Sequence, residues 1–148
     1  MAVFFLSAVR AFLATAHEKM KAMIIKDDLK LVAIQHAFQA KFPYLKLEFY
    51  AARHEAGEGS PQKDKLDPEL TLREVRQKHT EGDLRIRGAM PVRDFEQAVY
   101  EKFGLNAQVF RKSGNIWMQT TATDHWTLEE QNRKGGSSET HYQQKYNP

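Results

Sequence analysis

One apolar pattern occurs twice in this chain, 61 positions apart, and few folds can satisfy it. Leu31, Ile34, Phe38 and Phe42 fall at i, i+3, i+7 and i+11, one stripe of an α-helix. Val92, Phe95, Val99 and Phe103 repeat that stripe position for position. Ile25 matches Ile86, Ala37 matches Ala98, and Lys41 matches Lys102. Each helix meets a breaker, Pro43 in the first copy and Gly104 in the second. Pro91 stands at a first helical position, where no N–H donor is needed.

Strands flank both helices. Ala22–Lys26 and Asp83–Arg87 precede them. Leu45, Leu47 and Phe49 alternate after the first, and Leu105, Ala107 and Val109 after the second if that connection is one residue shorter. Arg111-Lys112-Ser113-Gly114-Asn115 is a turn signal that folds Ile116–Thr121 back as a hairpin. Thr71-Leu72-Arg73-Glu74 starts a short helix reaching about His79. Thr127-Leu128-Glu129-Glu130 starts another, which Gly135-Gly136 would end.

These elements predict an α+β fold, a ferredoxin-like split βαβ in the order βαβ-α-βαββ, with the helices on one face of a single antiparallel sheet. One domain over 21–136 holds both halves, 22–50 and 83–121. The segment 53–66, glycine-containing and polar, reads as a mobile surface loop, and 137–148 as a loose polar tail. Residues 1–20 read as an N-terminal amphipathic helix, because Phe5, Leu6, Val9, Phe12 and Leu13 share one side and Arg10 interrupts any secretion-signal pattern. A native start at Met20 or Met23 is the alternative reading of that segment. The apolar run is too short to span a membrane.

Composition then removes whole classes of chemistry. The chain has no cysteine, which excludes disulfides, thiolate nucleophiles and cysteine metal sites. That fits a reducing, cytoplasmic setting. A net charge of +3 is too small to require a nucleic-acid partner. No histidine and acid spacing matches a metal site or a catalytic set, so no metal, no cofactor and no catalytic residue is assigned. His54, Glu55 and Glu58 read as solvated loop residues.

Strand alternation selects one candidate surface. With the apolar set turned toward the helices, Lys46, Tyr50, Arg85, Arg87, Phe110, Lys112 and Trp117 share the open face of the sheet. Rings interleaved with cations suit a single-stranded nucleic acid. A sheet face carrying large rings is also what a protein partner or a second copy covers. The expected function is therefore a non-catalytic interaction or assembly module, a homodimer or a partner of another protein, with nucleic-acid binding as the alternative. A second alternative is a small enzyme with a pocket at Asp124, His125 and Trp126, where a strand gives way to a helix. The competing reading of that stretch is a helix cap at Asp124 or Thr127 with Trp126 packed beside it.

Overall fold

Both apolar stripes form helices, and both are buried. The computed structural model describes residues 22–148, so the amphipathic helix expected over 1–20 lies outside the described residues. In chain order the elements are β1 (Ala22–Ile25), α1 (Leu31–Lys41), β2 (Leu45–Tyr50), α2 (Leu72–Val75), β3 (Gly82–Arg85), α3 (Val92–Phe103), β4 (Asn106–Ser113), β5 (Ile116–Gln119) and α4 (Leu128–Tyr146). Leu31, Ile34, Phe38 and Phe42 of the first stripe and Val92, Phe95, Val99 and Phe103 of the second all enter one core. The two stripes meet where Phe38 stacks on Phe95, with ring centroids 5.4 Å apart. Burial of each such side chain stabilises the fold by roughly 1.5–3 kcal/mol. Gly104 ends α3 in the left-handed conformation at φ 67°, which a Cβ would disfavour.

The fold is mixed α+β, with four helices among the described residues and two antiparallel sheets. One sheet is β1–β3 and the other is β2–β4–β5. The single sheet of a ferredoxin-like arrangement is therefore not confirmed. The register gives the physical reason. Met23 lies opposite Leu84, and Glu48 lies opposite Gln108, so each strand pairs with the strand at its own place in the other half. The single sheet would need β2 beside β3, and here β2 lies beside β4 instead.

The halves also close in the same way. Leu31 and Val32 at the start of α1 donate their N–H groups to the Leu70 and Pro68 carbonyls, while Leu72 and Arg73 of α2 donate back to Leu29 and Asp27. In the second half Val92 and Arg93 donate to Trp126 and Asp124, while Leu128 and Glu129 donate back to Met90 and Gly88. Eight otherwise orphaned helix-start donors are satisfied by this reciprocal clasp. The return segments match as well: Leu66 N–H donates to the Phe49 carbonyl at 2.8 Å, and Thr120 N–H to the Val109 carbonyl at 3.2 Å.

Three expectations need correction. The short helix α2 ends at Val75, well before His79. The C-terminal helix is not short: α4 runs for 19 residues, straight through Gly135-Gly136. Those glycines serve close packing. A Cβ on Gly135 would stand 2.9 Å from both the Cβ and the carbonyl oxygen of Tyr44, and one on Gly136 would stand 2.9 Å from its Cε2. The segment 137–148, expected as a loose tail, is helical as far as Tyr146. Its inner side rests on the hairpin, where Gly114 N–H donates to Ser138 Oγ at 2.7 Å and Tyr142 lies beside Gly114.

Candidate functional site

The face selected by strand alternation is assembled only in part. Lys46 of β2, Phe110 and Lys112 of β4 and Trp117 of β5 do come together. The Lys46 ammonium lies 5.2 Å from the centre of the Phe110 ring and 5.5 Å from that of Trp117, while Lys112 lies 5.1 Å from Trp117. All four are half-buried. Each cation–ring contact at such a site contributes about 0.5–1 kcal/mol. Tyr50 is not part of this surface, being only 1% exposed. Burial, with help from the nearby Glu48 charge, pushes its hydroxyl up to about 12. Arg85 is exposed at the end of β3, in the other sheet, Arg87 is exposed two residues beyond it, and neither joins the cluster.

Beside this patch the sheet is covered by the segment expected as a mobile loop. Ser60 is buried, donates from Oγ to Gln108 Oε1 at 3.2 Å, and exchanges two hydrogen bonds with the Gln119 amide. Lys65 bridges to Tyr50 and approaches Glu48 at 3.3 Å. Polar composition suggested a solvated loop because it cannot distinguish side chains that meet water from side chains that meet other amides.

Asp124, His125 and Trp126 do not form one pocket. Asp124 is buried and accepts a hydrogen bond from the Gly57 N–H at 2.8 Å. His125 is exposed, its ring edge-on to Trp126 at 6.5 Å. Trp126 lies under the Arg111 guanidinium at 5.7 Å. The helix cap is Thr127, whose Oγ1 accepts from the Glu130 N–H at 3.1 Å.

A cavity of about 200 Å³ lies instead between the 53–56 segment, α3 and the start of β4. Its most telling residue is Glu96, only 6% exposed. The Glu96 Oε2 accepts from the Val109 N–H at 2.9 Å and lies 3.9 Å from His54 Nε2. Burial pushes the Glu96 carboxyl up to about 7, against the Val109 N–H and the His54 ring, and the Asp124 charge adds to the rise. His54 turns one ring nitrogen to the Glu55 carbonyl at 3.0 Å and the other to the Ala107 carbonyl at 3.2 Å. Arg53 stacks on Tyr100, its guanidinium carbon 4.1 Å from the ring centre. Glu96 escaped the sequence reading, although a signal was present: Val92, Glu96, Val99 and Phe103 are themselves an i, i+4, i+7, i+11 stripe.

Among the described residues no group of three His, Cys, Asp or Glu side chains could hold a metal ion, and no helix is long and apolar enough to cross a membrane. No family model, curated protein or solved structure matches the chain.

Proposed function

We propose that this chain is an internally duplicated βαβ unit that works as a non-catalytic interaction module, docking an acidic, partly apolar protein segment on the Lys46–Phe110–Lys112–Trp117 patch. The duplication is supported by the matching stripes, the matching clasps and the ladders in which equivalent positions stand opposite one another. The observation that carries the docking surface is the cluster itself. Two ammonium groups and two rings are held half-buried on strands whose other face is core, the Lys46 ammonium also lying 3.4 Å from Glu48. The strand beside them, β5, is an edge, with Ile116 58% exposed. An extended acidic segment would meet charge, ring surface and a strand edge together.

A single-stranded nucleic acid fits less well. Lys46 and Lys112 already lie over the Trp117 ring, so a stacking base would have to displace a cation from it. Arg85 and Arg87, the expected phosphate contacts, stand on or just beyond the other sheet. A second copy is the less favoured partner, because patch-to-patch contact would oppose lysines.

The test is fluorescence anisotropy with a labelled peptide of alternating glutamate and leucine. Binding should weaken as salt rises and be lost in Lys46→Glu. No binding at low salt would overturn the reading. Preferential binding of an oligothymidylate would transfer the patch to nucleic acid. Self-association in sedimentation, abolished by the same substitution, would make the partner a second copy.

A further inference from the structure

From the cavity between α3 and the 53–56 segment we infer a second binding site, for a small free α-amino acid in its zwitterionic form. Two side-chain oxygens of its lining residues take no hydrogen bond among the described residues, one of them sealed beneath the surface. Glu96 uses Oε2 for the Val109 N–H, and no hydrogen bond to its Oε1 occurs among the described residues. Asn106 donates from Nδ2 to the Tyr50 carbonyl, which fixes the orientation of the amide and leaves its buried Oδ1 with no partner. A carboxylate oxygen without a donor beside a cavity is costly, so a ligand bringing an N–H group gains at Glu96.

The first half of the molecule supplies an internal precedent. There the buried carboxylate is Glu48, which takes an amide N–H from Gln35 at 3.1 Å and the ammonium groups of Lys46 and Lys65 at 3.4 and 3.3 Å. Gln35 and Glu96 are both the fifth residue of their helices, and Glu48 and Gln108 face each other across the ladder. The second half thus exchanges glutamate and glutamine, and no lysine is paired with Glu96 among the described residues. A ligand ammonium would supply there what Lys46 and Lys65 supply to Glu48.

The other end of the ligand is indicated by the remaining walls. Arg53 and Arg93, both exposed, line the same cavity. Arg53 is held in place by stacking on Tyr100. An α-carboxylate would take these guanidinium donors while the ammonium took Glu96. A cavity of about 200 Å³ admits a small amino acid.

The experiment is a titration of the isotope-labelled full chain with glycine, L-alanine and L-serine, following the backbone amide signals of Gly57, Arg93, Ala107 and Val109 by NMR. Acetate and methylamine serve as half-ligands. Saturable shifts are expected with at least one amino acid, with each half-ligand at least about tenfold weaker. Glu96→Gln keeps an acceptor for Val109 but sets an amide donor against the ammonium, and should weaken binding by about tenfold or more. Arg93→Gln should weaken it from the carboxylate end, with the spectrum of both variants otherwise folded. No saturable shift up to on the order of 10 mM would overturn the proposal. So would acetate or methylamine binding as tightly as the amino acids, or shifts indifferent to both substitutions.

Discussion

The protein buries one glutamate in each half and treats the two differently. Glu48 is bordered by Gln35, Lys46 and Lys65, so its charge is answered inside the structure. Glu96 has a backbone N–H and a histidine ring at 3.9 Å, beside a cavity. Glu48 stands on a strand and Glu96 on a helix, and the surroundings decide the chemistry. A pair of lysines turns one carboxylate into a structural tie, while their absence leaves the other as a group that holds its proton near neutral pH.

The largest expected effect breaks the comparison at Glu96. Its folded value of about 7 lies above the ordinary 4.5 because burial disfavours the charged form. Below about pH 4.5 the group is protonated in both states and its contribution is fully present. As pH rises through 7 that contribution is lost, on the order of 3 kcal/mol in total. Urea unfolding near pH 5 and again near pH 8 should therefore show the wild type losing more stability than Glu96→Gln by about that amount. Parallel pH profiles would remove the distinction between the two glutamates.

A second contrast is between α2, a single turn, and α4, its 19-residue counterpart. Gly135→Ala should improve intrinsic helix propensity by about 1 kcal/mol. We nevertheless expect a net loss of about 1–3 kcal/mol, because the added Cβ meets the Tyr44 backbone. A raised melting temperature would show that α4 is not pinned to Tyr44. The smallest effect belongs to Glu48→Gln, which should cost about 1 kcal/mol or less, with the cost shrinking as salt is added. A gain in stability near pH 8, where an unpaired buried carboxylate would be penalised, would mean that Glu48 is as isolated as Glu96.

Much of this fold was legible in residue spacing. The stripes located both long helices and their buried faces, Gly104 located a helix end, and Ser113-Gly114-Asn115 located the hairpin. Neighbourhood was not legible. Alternation in β2 says that Leu45, Leu47 and Phe49 point inward, yet it says nothing about whether β3 or β4 lies alongside. That choice rests on long-range pairing, and it separated Arg85 and Arg87 from the patch they were expected to join. A stripe drawn through Phe95 hides the neighbouring Glu96, and Gly135-Gly136 looks like a stop because Tyr44, which needs those glycines, is distant in sequence.

The ladders have one more implication. Among the described residues β1 finds its only strand partner in β3, and β2 its principal one in β4, so neither half completes its sheet from its own described residues. Folding must bring together strands separated by nearly half the described chain before either ladder rewards the closure. The molecule should accordingly melt as one unit and form slowly for its size, with no partly assembled half to rest in.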